Sequence, residues 1–285
     1  MAGGIDKLEL LTKCVRKRFR ALARRKGSRR KGYLHVVDLR NTHYKLPVIL
    51  HCDGCYNGIH KIEVVGVAQL GLRRTRQILK QVLPNLVAAR IYRIDVCTDV
   101  PGIWVWDLAE RMFVSRTQNF QIINKRGGAS FYLQKSSDKT IVLYDKIKQY
   151  RAIGDPMAHL FRPGDHLTRI EVQLKGHGVP FKKIRDLHRY VDVDFLEQVH
   201  FRKLRALRDD AKPLHLLAAA QLQHLTQKYG LLATKKRFSP SQWAYIERTL
   251  FQVLEGKEIP DLRFRLKRSI EDWLENRLRF PRSRN

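Results

Sequence analysis

The chain has 285 residues, with 56 Lys and Arg against 27 Asp and Glu, so its formal net charge is +29 at pH 7. Hydrophobic residues make up 44% of the sequence, which is enough to build a core and indicates a folded protein. A charge excess this large indicates a polyanionic partner, first of all DNA or RNA. The sequence has no run of about 18 apolar residues, no signal peptide and no lipidation motif. We therefore expect a soluble, cytoplasmic protein without a membrane partner.

The first 32 residues combine a helical pattern with a dense basic stretch. Apolar residues at helical spacing predict an amphipathic helix over residues 5–26. It runs into "RRKGSRRKG", residues 24–32, where Gly27 and Gly32 break the helix. We expect a mobile basic arm that contacts phosphates without reading sequence, with a solvated charge run as the alternative. The cations of this predicted arm are Arg24, Arg25, Arg29 and Arg30.

From residue 33 the sequence is rich in short β-type segments. "YLHVVDL", "KLPVILHC" and "HKIEVVGVA" predict three strands of an antiparallel or mixed sheet. The next segment, residues 73–89, has helical apolar spacing with basic residues opposite, and Pro84 is expected to end or kink this helix. We expect the helix to pack on the sheet with its arginines exposed.

One cysteine spacing in this region is typical of a metal site. Cys52, Cys55 and His60 match the first three ligands of a zinc knuckle, but the fourth position of that pattern is Val65. Structural zinc needs four closed ligands. We therefore favour a cysteine-bearing turn around Asp53, with zinc as the alternative. The four cysteines of the chain are too few for a disulfide scaffold, which suits a reducing compartment.

Three further strands are predicted to carry polar side chains on one face. They cover residues 92–100, 129–136 and 167–176, and a helix over 104–120 is expected to connect the first two. Because side chains alternate along a strand, each of these strands has one apolar and one polar face. The polar residues are Arg93, Asp95, Cys97 and Asp99, then Tyr132 and Gln134, then Arg169, Glu171, Gln173 and Lys175.

The last hundred residues have a helical pattern. Helices are predicted over residues 193–207, 214–230, 239–256 and 262–280. The fold class is therefore α+β, with an antiparallel-rich sheet, helices on one of its faces, and a helical C-terminal region. We predict three parts: a basic helical arm over 1–32, a catalytic domain over 33–185, and a basic helical region over 186–285.

Asp95, Asp99 and Glu171 are acids on polar strand faces of a very basic protein. One interpretation is that they form ion pairs with Arg93 or Arg169. The other is that they bind Mg²⁺ or Mn²⁺, which take oxygen ligands and polarise a phosphodiester. Both interpretations stay open from the residues alone.

The run "IVLYDKIKQY", residues 141–150, places a tyrosine beside a cation. In an extended strand Val142, Tyr144 and Lys146 share one face. A phenol with a pKa near 10 is a poor nucleophile at neutral pH, and a nearby ammonium group would help it attack phosphate. The alternative is an ordinary strand aromatic, and Tyr132 or Tyr150 could also serve as the nucleophile.

The segments "YRIDVCTD", "ASFYLQKSSDKTIVLYDK" and "LTRIEVQLKG" follow one another in an order that resembles a known family. The resemblance is to the rolling-circle replication initiators of filamentous phages, the gene II protein group, and to the related initiation factors of plasmids and conjugative elements. It covers roughly residues 56–185. In that family an Arg-x-Asp strand precedes the strand with the nucleophilic tyrosine, which is followed by an Arg-x-Glu strand.

The resemblance implies that Tyr144 nicks one DNA strand and stays attached to its 5′ end, leaving a 3′-hydroxyl. It implies that Asp95 and Glu171 hold the metal, and that Lys146, Arg93 and Arg169 contact phosphate or orient the reacting groups. Asp99 is a further candidate ligand because of its place on the same strand face. The predicted contacts to phosphate are Arg93, Arg169 and Lys175. It also implies a host helicase and polymerase as partners in a bacterial cytoplasm.

The chain departs from many rolling-circle nickases in one respect. They bind metal through a His-hydrophobic-His motif, and no two of the eleven histidines here are separated by a single residue. A carboxylate site, with a distant His such as His166 or His177, is what remains. Two other functions stay open: a hydrolytic metallonuclease that uses the same acids without Tyr144, and a basic DNA-binding protein without catalysis.

Overall fold

The structure is a computed structural model that describes residues 3–30, 32–55, 57–114, 121–125, 128–197, 199–204, 234–254 and 262–277, with four single positions between 218 and 225. Its strands are β1 Gly4–Thr12, β2 Ser28–Arg30, β3 Tyr33–Asp38, β4 Val48–Gly54, β5 His60–Val64, β6 Arg90–Pro101, β7 Met112–Val114, β8 Gln121–Lys125, β9 Gly128–Lys135, β10 Lys139–Asp145, β11 Leu167–Lys175, β12 Val199–Leu204 and β13 Phe251–Leu254. Its α-helices are α1 Lys17–Lys26, α2 Val67–Val82, α3 Val105–Arg111, α4 Lys146–Ile153, α5 Pro240–Leu250 and α6 Leu262–Leu274. Short 3₁₀ segments cover Leu39–Asn41, Pro156–Leu160, Gly176–Gly178 and Ile184–Asp192.

Ten strands form one sheet in the order β2-β3-β4-β5-β1-β6-β11-β10-β9-β8. Every neighbouring pair in this sheet is antiparallel. A second, three-stranded sheet has the order β13-β12-β7. The predicted α+β class with an antiparallel sheet is confirmed.

The two faces of the large sheet differ in chemistry, as the alternation of side chains requires. One face is apolar and buried, with Ile94, Val96, Leu143, Ile170 and Val172 in the core. Helices α2 and α6 pack on this side, where Thr98 Oγ1 lies 3.0 Å from Ser269 Oγ of α6. Trp273 of α6 is fully buried, and its Nε1 donates to the Val67 carbonyl oxygen of α2 at 2.8 Å. The opposite face carries the charged side chains.

The predicted helix over residues 5–26 is wrong in its first half. Residues 4–12 form β1, which lies in the centre of the sheet between β5 and β6, and the helix begins only at Lys17. Leu8 and Leu10 are fully buried at a spacing of two. Leu8 and Leu10 have the spacing of one face of a strand, whereas Leu8 and Leu11 have the spacing of one face of a helix. The pattern alone is therefore ambiguous, and pairing with two neighbouring strands makes this segment a strand.

The basic stretch after this helix is partly built into the sheet. Helix α1 ends at Gly27, where the backbone becomes extended, and Ser28–Arg30 add an edge strand to β3. Arg20 and Arg24 of α1 both donate to the Asp53 carboxylate. Residue 32 therefore marks no boundary in the sheet, because β1 and β2 belong to the same sheet as β3 to β6.

Of three further predicted helices, those over 104–120 and 239–256 are shorter than expected, and the described residues of the one over 193–207 are not helical. Helix α3 ends at Arg111, and β7 follows it where a helix over 104–120 was predicted; residues 115–120 lie outside the described part. The prediction over 193–207 is wrong at Val199–Leu204, which is β12, and the one over 239–256 is wrong at Phe251–Leu254, which is β13. These segments pair with one another, and short apolar runs do not distinguish helix from strand without that pairing. The prediction over 214–230 lies almost entirely outside the described residues, and the last predicted helix is observed as α6.

The cysteine-bearing turn predicted around Asp53 is present. Strand β4 ends at Gly54, Asp53 has a φ of 51°, and its backbone N–H donates to His60 Nδ1 at 3.0 Å. Cys52 is buried in the core, whereas Cys55 is exposed. The described residues do not bring these side chains together as metal ligands.

No helix within the described ranges is long and apolar enough to cross a membrane.

Helix α2 is kinked at Gly71, and the structure requires glycine at this position. Its φ of 66° and ψ of 171° belong to a region that is almost restricted to glycine, and a Cβ there would lie 2.6 Å from Asn276 Oδ1. We expect Gly71→Ala to lower the free energy of unfolding by about 2 kcal/mol. Gly102→Ala is the matched control, since φ is 75° there but nothing lies within 4 Å. Urea unfolding measures both, and equal losses would show that the contact with Asn276 contributes nothing.

Candidate active site

The register of three central strands brings the predicted site residues onto one surface. On β10, β11 and β6, Tyr144 lies opposite Arg169, which in turn lies opposite Asp99. Two residues further along β11, Glu171 lies opposite Cys97. Residues directly opposite on neighbouring strands have Cβ atoms about 5 Å apart. The polar face therefore gathers a phenol, a guanidinium group and carboxylates in the middle of the sheet.

The Tyr144 hydroxyl is held by a carboxylate. It donates a hydrogen bond of 3.0 Å to Glu171 Oε2, while Gln173 Nε2 donates to Glu171 Oε1 at 2.8 Å. Burial raises the pKa of the Tyr144 phenol well above its usual value, and the positive charge of Arg169 opposes that rise. The phenol is therefore neutral at pH 7, and its proton points at a carboxylate that could accept it.

Arg169 supplies a fixed positive charge beside the phenol. It is 2% exposed, and its Nε and Nη2 donate to the two Asp99 oxygens at 2.6 and 2.9 Å. Its Nη1 donates to Asp6 Oδ1 of β1 at 3.1 Å. Such a two-pronged pair fixes the guanidinium plane, because all three nitrogens are engaged.

Asp95 forms a second two-pronged pair on β6, four residues before Asp99. Arg93 Nε and Nη2 donate to its two oxygens at 2.7 and 2.6 Å. The ion-pair interpretation of Asp95 and Asp99 therefore describes the observed contacts. Burial raises the pKa of Asp95 to about 6, against the opposing effect of Arg93.

The raised pKa of Asp95 predicts a pH-dependent stability. An unfolded chain has an Asp pKa of about 3.9, so the folded state binds the proton more tightly between about pH 4 and 6. Ionisation of Asp95 therefore lowers the free energy of unfolding as the pH rises through this window. Above the window the carboxyl is fully ionised, and the loss no longer changes with pH. We expect the melting temperature of Asp95→Asn, relative to the unchanged protein, to be higher at pH 7 than at pH 4. A difference that does not change with pH would contradict this assignment.

Lys146 reaches the tyrosine from a helix and not from the strand. The prediction that Val142, Tyr144 and Lys146 share one strand face is wrong at Lys146, because β10 ends at Asp145 and α4 begins at Lys146. The Asp145 side chain accepts from the backbone N–H of Lys148 and so caps the helix. Lys146 Nζ lies 5.8 Å from the centre of the Tyr144 ring and donates to Gln149 Oε1 at 2.6 Å.

The Lys146 ammonium is largely buried, and only 9% of the residue is exposed. Burial lowers its pKa, and the nearby charge of Arg169 lowers it further. Its Nζ also lies 4.7 Å from the centre of the Tyr150 ring, so two aromatic rings flank it. The predicted cation therefore lies near the Tyr144 phenol, but it reaches that position from the start of α4 and not from the strand.

The predicted metal ligands do not form a cation site as they are arranged. Asp95 and Asp99 lie diagonally across from Glu171, on either side of Cys97, and carboxylate oxygens are suitable ligands for Mg²⁺ or Mn²⁺. However, both aspartates are engaged by arginine, and the described residues contain no group of three His, Cys, Asp or Glu that could hold an ion. The metal therefore stays a prediction.

The other predicted residues lie at varying distances from this centre. Lys175 lies opposite Arg93 at the end of β11, and Tyr132 lies opposite Val142 on β9. His166 and His177 are exposed, beyond the two ends of β11. Of the predicted arm, Arg25 and Arg29 are exposed, Arg24 is paired with Asp53, and the side chain of Arg30 lies outside the described part.

Sequence reasoning placed Gln173 on this face without giving it a role, and it missed Asp6 and Lys7. Gln173 orients Glu171, Asp6 completes the partners of Arg169, and Lys7 lies opposite Asp95, where it pairs with Glu9 at 3.1 Å and Glu63 at 2.9 Å. Asp6 and Lys7 belong to β1, so they were hidden by the prediction of a helix there. The alternation of Lys7, Glu9 and Leu11 with Leu8 and Leu10 was the available signal.

Comparison with protein-family models finds no match, and no curated protein matches the chain. A solved structure that is similar to it is a rolling circle replication initiator protein from Geobacillus stearothermophilus. The similarity covers 77% of this chain and 96% of that chain, with 17% sequence identity and a TM-score of 0.45.

Proposed function

We propose that the protein is a DNA strand-nicking and strand-joining enzyme that starts rolling-circle replication through Tyr144. The observation that carries the proposal is the 3.0 Å hydrogen bond from the Tyr144 hydroxyl to Glu171, beside the buried cation of Arg169. An ordinary strand aromatic needs neither a carboxylate partner nor an arginine fixed by two acids. The order of the strand motifs and the net charge of +29 agree with a DNA substrate.

In the proposed reaction the Tyr144 oxygen attacks the phosphorus of one phosphodiester. The bond between phosphorus and the 3′-oxygen breaks, and a bond from phosphorus to the tyrosine oxygen forms. The phenol proton passes to Glu171, and the departing 3′-oxygen takes up a proton to become a 3′-hydroxyl. The protein stays attached to the 5′ end as a phosphotyrosine, and the reverse reaction rejoins the strand.

A carboxylate base is required because the phenol is neutral in the folded protein. Burial raises the pKa of Tyr144, so a preformed phenolate is not available at pH 7. Gln173 holds the other Glu171 oxygen at 2.8 Å and thereby fixes the carboxylate toward Tyr144. Arg169 and Lys146 place positive charge where the phenolate and the extra charge on phosphate develop.

We also propose that a divalent cation is a cofactor of this reaction. When bound, Mg²⁺ or Mn²⁺ would polarise the phosphate oxygens. Nicking measured with each metal and with EDTA tests the prediction directly. Activity that persists fully in EDTA would assign the neutralisation of phosphate to the arginines and Lys146 alone.

The function is tested with labelled single-stranded DNA. The protein is incubated with origin-like strands that carry the label on the 5′ or the 3′ side, and the products are separated on a denaturing protein gel. We expect the label to remain on the protein only when it lies on the 3′ side of the nick, since that piece carries the new 5′ end. Cleavage without a covalent adduct would identify a hydrolase, and binding without cleavage would identify a DNA-binding protein.

A further inference from the structure

A groove lies on the helical side of the sheet, away from Tyr144. It runs between the second half of α2 and the turn that follows α6, and its volume is about 370 Å³. Helix α2 packs through Val67, Ile78 and Leu79 into the core beneath the apolar face, whereas Tyr144 lies on the polar face. The residues that line the groove are Leu72, Arg73, Arg76, Gln77, Lys80 and Asn276.

The wall of the groove is a built structure and not a chance gap between side chains. Gly71 kinks α2, which allows the Asn276 side chain to reach the first turn of the helical segment beyond the kink. Asn276 Oδ1 accepts from the backbone N–H of Arg73 at 2.9 Å, and Asn276 itself has a φ of 58°. The turn after α6 is therefore fixed on α2.

The charge of the groove is wholly positive. Arg73, Arg76 and Lys80 follow one another at helical spacing, so they lie on one face of α2. No acidic residue occurs in the sequence between Glu63 and Asp95. Within the described part of the chain none of the three cations lies within 4 Å of a carboxylate, which distinguishes them from the paired arginines of the polar face.

The positive surface continues from α2 onto α1. The backbone N–H of Arg16 donates to the Val82 carbonyl oxygen at 3.0 Å, and Arg16 Nη2 donates to the Lys80 carbonyl oxygen at 3.2 Å. This contact joins the start of α1 to the end of α2. The sequence has no acid between Glu9 and Asp38, and Lys17, Arg18 and other cations of α1 are exposed.

We propose that this groove holds the phosphate backbone of double-stranded DNA, on the side of the protein opposite the nicking site. The identity of the nucleic acid as DNA rests on the proposed function. The described residues that line the groove are cations, amides and one aliphatic side chain, and none of them is an aromatic residue on which an unpaired base could stack. Arg73 and Lys80 are separated by about 10 Å along the helix axis, which corresponds to about three phosphates of one strand. The sheet thus separates a backbone-holding side from a strand-cutting side.

The test compares two triple variants with equal loss of charge. The first is Arg73→Gln with Arg76→Gln and Lys80→Gln, and the control is Lys182→Gln with Lys183→Gln and Arg185→Gln, three exposed cations outside the groove. Binding is measured by fluorescence anisotropy with a duplex of about 30 base pairs and with a thymine-only single strand of equal length, over about 50 to 200 mM salt. Melting temperatures verify that both variants are folded.

We expect the groove variant to bind duplex about 30-fold more weakly, with a salt slope of log K smaller by about 3. The control variant should lose several-fold less of its affinity for duplex. Formation of the covalent adduct on a short single strand should be unchanged in both variants. Equal loss in the two variants, or equal loss for duplex and single strand, would overturn the proposal. If the unchanged protein forms no adduct, the nicking function fails, while the duplex result still decides the groove.

Discussion

Replacing the Tyr144 hydroxyl by hydrogen in Tyr144→Phe is expected to abolish the covalent protein–DNA adduct, with a loss of at least about 10³-fold in nicking rate. The reason is that the proposed reaction has no other atom to form the bond with phosphorus. The ring stays in place between its strand neighbours, so DNA binding should be retained. Gel detection of the labelled adduct measures the first effect, and anisotropy measures the second.

Tyr150→Phe is the matched control for this change. Its ring lies next to the same ammonium group, 4.7 Å from Lys146 Nζ, so the two variants remove the same atom from neighbouring aromatic residues. We expect an unchanged adduct in Tyr150→Phe. An adduct that survives in Tyr144→Phe and disappears in the control would move the nucleophile to Tyr150 and leave Glu171 as a structural partner only.

The second large effect is expected on stability, from the buried pair of Arg169 and Asp99. Both side chains are 3% exposed, and Arg169→Met would leave the Asp99 carboxylate buried without its two donors. Removing one partner of such a pair costs about 3 to 5 kcal/mol, because an uncompensated charge remains in a low-dielectric site. Urea unfolding, followed by tryptophan fluorescence or circular dichroism, measures this loss of unfolding free energy.

Two further variants separate this cost from a general sensitivity to arginine loss. In Arg169→Met with Asp99→Leu no fully buried charge is left unpaired, because the remaining partner of Arg169, Asp6, has a side chain that is 30% exposed. Most of the stability should therefore return, although nicking should not. Arg40→Met removes an exposed ion pair with Asp38 of similar length, 2.6 Å, and should cost less than about 1 kcal/mol. A single Arg169→Met variant as stable as Arg40→Met would show that solvent reaches Asp99.

The polar face could be predicted from the sequence because it depends on a local rule. In β6 and β11 the side chains alternate strictly, so Asp95, Asp99, Arg169 and Glu171 had to share faces whatever the rest of the chain did. That the two strands are neighbours does not follow from alternation. It rests on the order of the motifs along the chain.

The parts that could not be predicted depend on contacts between distant segments. Residues 4–12 become a strand because β5 and β6, about 50 and 85 residues later in the chain, pair with them. Lys146 leaves the strand because the Asp145 carboxylate caps a helix at that point, a competition that alternation alone does not reveal. The link between Gln173 and Glu171 is a side-chain contact within one strand, and only its geometry identifies it.

The central position of β1 has a consequence for how the chain reaches this structure. The strand is synthesised before its neighbours β5 and β6, and α6, which packs on it, comes later still. Gly4 of β1 lies against α6, where a Cβ would come within 2.7 Å of Trp273 Cβ. Folding must therefore close very long loops before the centre of the sheet is complete, and such non-local pairing makes folding slow. Until Trp273 arrives, the Gly4 end of β1 lacks its cover on the apolar side, and exposed apolar surface of this kind favours aggregation of a growing chain.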